Sequence, residues 1–143
     1  MADRSADRGR VLGLDLGQAR IGVAVSDPAR RVALPLGTVR TGAPQDLKAI
    51  GALIREQEVA VIVVGHPRSL SGSSGEAAAH AEGFAATLRE TFGLPVELQD
   101  ERLSTVEAER RLREAGVRGR ARREVVDRSA ATVILQAYLD RSR

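Results

Sequence analysis

The sequence predicts an α/β protein with a mixed five-stranded sheet flanked by helices. Apolar segments rich in β-branched residues alternate with segments of helical periodicity, in the order β-β-β-α-β-α-β-α-α. The run at 59–64 (VAVIVV) is continuously apolar, as expected for a strand buried on both faces in the middle of a sheet. The length of 143 residues fits a single domain.

The first half of the chain is expected to hold three strands and one helix. The apolar, β-rich segments predicted as strands are 11–16, 20–26 and 31–39. The spacer Gly17-Gln18-Ala19 has the length of a tight hairpin, and Pro35 is expected to break the third strand. An amphipathic helix is predicted over Gln45–Gln57, because apolar residues recur there on one helical face: Leu47, Ile50, Leu53 and Ile54.

The second half is expected to hold two strands and three helices. After the central strand, Gly65–Gly75 is a loop by composition, and the spacing of Ser73 and Glu76 predicts a capping box for a helix that ends near Phe92. One further strand and two helices complete the predicted order: Val96–Gln99, Ser104–Ala115 and Glu124–Arg141.

Composition excludes several classes of protein. With 43% hydrophobic and 29% charged residues the chain can bury a core, which excludes wholesale disorder. The absence of cysteine excludes disulfides, thiolate metal sites and cysteine nucleophiles. Since no apolar run approaches the ~20 residues of a membrane-spanning helix, we expect a cytoplasmic protein without a membrane partner. Residues 1–9 are expected to be a flexible tail before a single domain over 10–143.

Asp15 lies within the first predicted strand, where a carboxylate is disfavoured. The two-residue period of a strand places it on the face opposite the leucines, with small residues nearby, and the neighbouring strand repeats this asymmetry at Gly22, Ala24 and Ser26. If the two small-residue faces coincide, the backbone there is open to a bulky ligand. Asp15 is then either a functional acid or an exposed residue on a solvated face.

Two further positions offer carboxylates. Asp100 and Glu101 follow a strand at its carboxyl end, where open α/β sheets bind ligands, although acids before a helix also favour its dipole. On the last predicted helix, Asp127 lines up with the core-facing stripe Ala130, Ala131, Ile134 and Tyr138. A buried carboxylate needs a partner, a metal ion or a proton, whereas the alternative is an acid that stabilises the helix dipole.

Converging carboxylates without cysteine describe a site for a hard cation, Mg²⁺ or Mn²⁺, rather than for zinc. At such sites two ions about 3.5–4 Å apart activate a water and stabilise an in-line displacement at phosphorus. The chain has only two histidines. His66, in the predicted loop, either assists a proton transfer or a phosphate contact or satisfies local hydrogen bonds, and His80 is not expected to be catalytic.

Positive charge is concentrated in one stretch of the chain. The formal net charge is only +3. Between Arg110 and Arg123, however, seven arginines face one acid, Glu114, which gives 7 − 1 = +6. Arginine forks suit phosphates, which position a nucleic acid without reading its sequence, although such runs are often solvated helix faces. The three aromatic residues all fall on predicted helices, so a base-stacking platform is not expected.

Four segments in order resemble the YqgF family, also called RuvX, which comprises pre-16S rRNA nucleases related to RuvC-type Holliday-junction resolvases. They are GLDLGQARIGVAVSD (13–27), VVGHPRSLSGSSG (63–75), DERLSTVEAERRL (100–112) and VDRSAATVILQAYLD (126–140). The second departs from the family pattern at His66, where an apolar residue is common. The resemblance implies a ribonuclease H-like fold and an acidic triad, Asp15, Glu101 and Asp127, as catalytic residues and metal ligands. Asp100 remains the alternative second ligand, with Glu101 favoured.

We therefore expect a metal-dependent endonuclease that acts on structured nucleic acid, as a monomer or homodimer. The resemblance implies maturation of the 5′ end of 16S rRNA. The alternatives are resolution of Holliday junctions in branched DNA and a non-catalytic nucleic-acid-binding module. A reading of Asp15-Leu16-Gly17 as the phosphate hairpin of actin-like ATPases would need two such domains, which 143 residues do not supply. The arginines expected to contact nucleic acid are Arg20, Arg68, Arg102, Arg110, Arg111, Arg113, Arg118, Arg120, Arg122 and Arg123.

Overall fold

The computed structural model describes residues 9–67, 75–101 and 130–142. Over these ranges the strands are β1 (Arg10–Leu16), β2 (Arg20–Ser26), β3 (Ala33–Arg40), β4 (Val59–His66) and β5 (Val96–Asp100). The helices in the same ranges are α1 (Gln45–Glu56), α2 (Glu76–Phe92) and α3 (Ala130–Arg141). The helix predicted over Ser104–Ala115, and the predicted start of the last helix at Glu124, lie outside the described residues.

The five strands form one mixed sheet, as predicted, and their order in it is β3-β2-β1-β4-β5. β1, β4 and β5 run parallel, whereas β2 is antiparallel to both of its neighbours. β1 and β2 form the predicted hairpin, in which the Gly17 amide donates to the Arg20 carbonyl at 2.9 Å. The carboxyl ends of β1, β4 and β5 therefore share one edge of the sheet with the hairpin turn.

Helices cover both faces of the sheet. On the first face, which we call the α1/α2 face, Ile50 of α1 and Ala85 and Leu88 of α2 are fully buried against strand residues such as Leu14 and Ile62. On the second, the α3 face, the buried residues of α3 cover a separate core: Ala131, Ile134, Leu135 and Leu139. Alternation along the strands supplies side chains to each core.

The helix predicted over Gln45–Gln57 is confirmed as α1, with Gln57 as its C-cap. Its predicted apolar face is the buried one, because Ile50 lies in the core and the other members pack against it: Leu47, Leu53 and Ile54. None of the helices within the described ranges is long and apolar enough to cross a membrane.

The third strand is not broken at Pro35. β3 runs without interruption through Pro35, which opposes Ala24, and the register with β2 shifts between Val23 and Ala24. The position is tolerated because β3 is an edge strand with a bulge, where a missing backbone donor costs little. The prediction of a break was therefore wrong.

Two boundaries in the middle of the chain also differ from the predictions. β4 continues to His66, so Gly65 and His66 belong to the strand and not to the loop. They pair with Gln99 and Asp100, which extends β5 by one residue. The N-cap of α2 is Gly75 rather than Ser73, which is outside the described residues. The predicted capping box is therefore absent at the observed start of α2.

The small-residue faces of β1 and β2 do coincide, since Gly13 opposes Ala24 and Asp15 opposes Gly22. The bulky group that they accommodate is helix α3. A Cβ atom at Gly13 would lie 2.8 Å from the Cβ of Leu135. The expectation of a backbone open to a ligand is therefore wrong over most of this face, and only its carboxyl-terminal edge is left for a site.

Candidate active site

Two carboxyl groups lie on the α3 face at the edge where β1, β4 and β5 end. Asp15 is the penultimate residue of β1, and Glu101 follows the last residue of β5. In β5, Val96 and Leu98 pack into the α1/α2 core. Alternation therefore directs Glu101 to the opposite face, the one that Asp15 occupies. Both residues are half-buried.

The side chains of Asp15 and Glu101 share a hydrogen bond, although β4 lies between their strands. The residue of β4 at this level is Gly65. A Cβ atom there would lie 2.8 Å from Oε1 of Glu101 and 2.7 Å from Cδ1 of Ile134, closer than Cβ atoms approach other groups. The absence of a side chain at Gly65 therefore lets Glu101 reach across β4 to Asp15.

The electrostatics of this pair are unfavourable for two negative charges. Burial, the hydrogen bond with Asp15 and the charges of Asp15 and Asp100 together raise the pKa of Glu101 from 4.5 to about 7. Carboxylates in contact resist ionising together unless a positive charge is placed between them. In the metal-free protein, Glu101 is thus protonated as the pH falls below about 7, and its proton forms the hydrogen bond shared with Asp15.

Of the two acids that the sequence left open, Glu101 is the one that contacts Asp15. Asp100 ends β5 opposite His66. Because side chains alternate along β5, Asp100 is directed to the α1/α2 face, away from Asp15. Its charge still reaches the pair and contributes to the raised pKa of Glu101.

Neither histidine hydrogen-bonds a member of the carboxyl pair, although His80 lines the same cavity as Glu101. His66 lies on the α1/α2 face with its side chain 13% exposed, and its Nε2 is 3.2 Å from Oε1 of Glu82. The geometry of that contact is not that of a hydrogen bond, and Nε2 makes none with any described residue. His80 is exposed on α2 and stacks on Phe84, with ring centroids 6.4 Å apart.

A cavity of about 490 Å³ opens beside the carboxyl pair, between the hairpin turn and the start of α2. Its lining includes Glu101 and Gly65 together with Gly17 and Thr41. Thr41 holds the turn in place, because its Oγ1 donates to the Gly17 carbonyl at 2.9 Å and its amide donates to the Ala19 carbonyl at 3.0 Å. Glu101 therefore faces a cavity whose wall includes a turn that Thr41 holds in place.

Two exposed arginines lie at the same end of the hairpin. Arg20, a predicted nucleic-acid contact, begins β2 and lies directly opposite Arg40 at the end of β3. Within the described ranges neither side chain makes a hydrogen bond or an ion pair. Arg40 was missed from the sequence because the predicted strand stopped at Val39. The feature that identifies Arg40 is its position opposite Arg20, and this position is known only from the pairing of β2 with β3.

The remaining predicted site residues lie outside the described residues. They are Asp127, Arg68, Arg102, Arg110, Arg111, Arg113, Arg118, Arg120, Arg122 and Arg123. Within residues 9–67, 75–101 and 130–142, no cluster of three or more His, Asp or Glu side chains is arranged to hold a metal ion. Asp15 and Glu101 are the described members of the predicted triad.

The mixed sheet, with helices on both faces and an acidic pair at the ends of β1 and β5, defines the class of the ribonuclease H-like nucleases. The family model RuvX, described as Holliday junction resolvase, matches residues 9–141. The chain therefore belongs to the RuvX family. The resemblance, the fold class and the nuclease class predicted from the sequence are confirmed.

Similar proteins agree with this membership. A protein of Anaeromyxobacter sp. (strain Fw109-5), named "Putative pre-16S rRNA nuclease", is 53% identical over 132 residues, which cover 92% of this chain and 96% of that protein. One of the same name from Geobacillus kaustophilus is 50% identical, covering 94% and 99%. The structure of T. thermophilus RuvC in complex with Holliday junction substrate has a TM-score of 0.57 at 17% identity, covering 94% and 96% of the two chains. At that identity the likeness is one of fold.

Proposed function

We propose that the protein is a metal-dependent endonuclease in which Asp15 and Glu101 are catalytic metal ligands. The contact between these two carboxyl groups carries the proposal. The two acids lie together in a half-buried site, and their contact is possible because Gly65 has no side chain. An electrostatic conflict of this kind, at the carboxyl edge of a sheet, is typical of a site that binds a positively charged ligand.

The donor set fits a hard divalent cation. Both groups offer carboxylate oxygens, which Mg²⁺ and Mn²⁺ prefer, and we assign one of these two ions to the site. Binding of the cation would require both groups to be ionised, so Glu101 would have to release its proton. When bound, it supplies Lewis-acid stabilisation of the reacting phosphate and activation of water.

Asp127 is the third ligand in this proposal. It precedes Ala131 by four residues and Ile134 by seven, intervals at which residues line up on one helical face. Ala131 Cβ lies 3.6 Å from the place of a Cβ at Gly22, the partner of Asp15, and Ile134 packs at Gly65 beside Glu101. The helical face formed by Ala131 and Ile134 therefore borders Asp15 and Glu101. Asp127 would continue that face, which supports its role as the third ligand.

The partner in this proposal is structured nucleic acid. Its phosphates are held by the exposed Arg20 on the face of Asp15 and by the arginines predicted from the sequence: Arg68, Arg102 and those from Arg110 to Arg123. The pre-16S rRNA named for the relatives from Anaeromyxobacter and Geobacillus favours cleavage at the 5′ end of that RNA, in the cytoplasm.

The second candidate substrate is the Holliday junction. The description of the matching family favours it, and it requires two active sites that cut two strands, hence a stable dimer. The third candidate, a non-catalytic binding module, gives no role to the contact between Asp15 and Glu101. As pH rises above about 4.5, that contact costs free energy in a protein that binds no cation.

The test is a cleavage assay with Mg²⁺ or Mn²⁺ on two substrates, a transcript that spans the 5′ end of 16S rRNA in its precursor and a four-way DNA junction. The wild type is compared with Asp15→Asn and with a control, Asp27→Asn. The half-buried Asp27 follows β2 at the opposite end of the sheet, and its Oδ1 accepts hydrogen bonds from the Arg31 and Val32 amides. We expect cleavage of the RNA by the wild type and the control, and none by Asp15→Asn.

Each other outcome contradicts a named part of the proposal. Undiminished cleavage by Asp15→Asn would overturn the role of the carboxyl pair. Paired symmetric nicks in the junction by a stable dimer, without cleavage of the RNA, would replace the proposed substrate. Binding that survives chelation, with no cleavage of either substrate under any divalent cation, would leave the non-catalytic module.

A further inference from the structure

We propose that Arg20 and Arg40 together bind one backbone phosphate of the nucleic acid, next to the phosphodiester that is cleaved. This inference rests on the proposed function and names a subsite within it. Its two residues come from β2 and β3, and neither belongs to the carboxyl pair.

The register of β2 and β3 places these two positive charges against each other. Arg20 and Arg40 are direct partners in the antiparallel ladder, so their Cβ atoms are about 4.5–5.5 Å apart. Like charges in directly opposite positions destabilise a sheet. Both residues are exposed, and among the described residues no acid pairs with either. An anion held between them removes the repulsion.

The pair lies on the correct face of the sheet. Ile21 and Val39 are also partners and pack toward the α1/α2 core. Alternation therefore directs Arg20 and Arg40 to the α3 face, which is the face of Asp15. Asp15 opposes Gly22, two residues beyond Arg20. With strands about 4.8 Å apart and a rise of about 3.4 Å per residue, the Cα atoms of Arg20 and Asp15 are about 8 Å apart.

The chemistry of arginine favours phosphate as the anion. A guanidinium is a planar fork of N–H donors that stays charged at all relevant pH values and binds phosphate oxygens in pairs. Two forks on adjacent strands can share the oxygens of one phosphate. A nucleic-acid backbone presents such a group beside every cleavable linkage. A contact of this kind fixes the position of the strand relative to Asp15 without reading its sequence.

The experiment measures binding of the full chain to an RNA oligonucleotide that spans the 5′ end of 16S rRNA in its precursor. All proteins contain Asp15→Asn, so that cleavage does not interfere. Arg20→Gln, Arg40→Gln and the double variant are compared with a control, Arg55→Gln, which removes an exposed arginine from α1 on the other side of the sheet. The same oligonucleotide is also made with one neutral methylphosphonate at each position in turn.

We expect each single substitution to weaken binding about tenfold or more, as for loss of a charge-assisted contact. The double variant should lose little beyond either single variant, because the two side chains share one phosphate. For the double variant, the slope of the logarithm of the RNA-binding constant against the logarithm of the salt concentration should be shallower than that of the reference protein by about 0.7–0.9, as for one phosphate contact fewer. The reference protein contains only Asp15→Asn. A methylphosphonate at one position of the RNA should weaken binding to the reference protein and should leave binding to the double variant unchanged. The free Arg40→Gln protein should melt no lower than the reference protein.

Losses no larger than that of Arg55→Gln would overturn the phosphate subsite. Additive losses that map to two different methylphosphonate positions would overturn the sharing of one phosphate. These outcomes are separate from a failure of the proposed function, which shows as undiminished cleavage by Asp15→Asn and does not depend on the arginine variants.

Discussion

Glu101 reaches across strand β4 to share a hydrogen bond with Asp15 of β1. Two features of the fold make this contact possible. The parallel order of β1, β4 and β5 brings both acids to one edge, and Gly65 leaves the space between them free of a side chain. The contact brings two acidic groups together where we propose that the catalytic cation binds.

Gly65→Ala should damage the site by displacing the carboxyl group of Glu101. The added methyl group would lie 2.8 Å from Oε1 of Glu101 and 2.7 Å from Cδ1 of Ile134. We expect a loss of about 1–3 kcal/mol in the free energy of unfolding and a fall in cleavage rate of about 10²-fold. Urea denaturation and single-turnover cleavage measure the two effects.

Gly83→Ala is the matched control for that substitution. Gly83 lies within α2, and a Cβ atom there meets nothing within 4 Å. Alanine should therefore stabilise the protein by up to about 1 kcal/mol, with cleavage unchanged. A wild-type cleavage rate in Gly65→Ala would contradict the role given to that glycine.

The stability of the metal-free protein should decline with pH through the neutral range. The pKa of Glu101 is raised in the folded state from 4.5 to about 7. The stability that this group contributes is therefore fully present below about pH 4.5 and is lost as pH rises through about 7. Glu101→Gln, which does not ionise, should lack this component of the decline. Thermal melts of both proteins in EDTA at about pH 5.5 and pH 8 test the prediction.

The opposite pH dependence is expected for stabilisation by a cation. Since Mn²⁺ must displace the proton of Glu101, saturating Mn²⁺ should raise the melting temperature more at about pH 8 than at about pH 5.5. Equal shifts at the two pH values would contradict the assignment of Glu101 as a ligand.

Gly13→Ala and Gly22→Ala should differ in cost although the two residues share one face of the sheet. A Cβ atom at Gly13 would lie 2.8 Å from Cβ of Leu135 and 3.3 Å from the Ala131 carbonyl oxygen. At Gly22 the nearest atoms are 3.6 Å away, an ordinary contact. We expect Gly13→Ala to lose about 1–3 kcal/mol of unfolding free energy and Gly22→Ala less than about 1 kcal/mol. Equal losses in urea denaturation would contradict the close packing of α3 on Gly13.

Much of the fold was predictable because the spacing of apolar residues along a helix or strand indicates which of its faces is buried. The buried face of α1 and the interior position of β4, between β1 and β5, each follow from one apolar pattern in the sequence. The boundaries that failed depend on long-range contacts. Gly65 and His66 have the composition of a loop, but pairing with Gln99 and Asp100 draws them into β4. Pro35 reads as a break, but an edge position with a bulge accommodates it.

The candidate site was predictable in its residues and not in its arrangement. Asp15 and Glu101 were both named from the sequence, but the choice between Asp100 and Glu101 depends on where β5 ends and which face each residue then occupies. The small-residue face was recognised, but periodicity does not distinguish a ligand from a packing helix. Arg40 becomes a candidate phosphate contact only through its pairing with Arg20, which is 20 residues away in the sequence.

The Mn²⁺ dependence of cleavage by Glu101→Gln and Glu97→Gln tests the central claim most directly. The two acids lie on the same side of β5, but Glu97 hydrogen-bonds Tyr138 and is four residues away from Glu101. The wild type and Glu97→Gln should cleave the precursor RNA with the same half-saturating Mn²⁺ concentration, and Glu101→Gln should show no cleavage at any concentration. Cleavage by Glu101→Gln at the rate and Mn²⁺ requirement of the wild type would contradict the claim that Asp15 and Glu101 hold the catalytic cation.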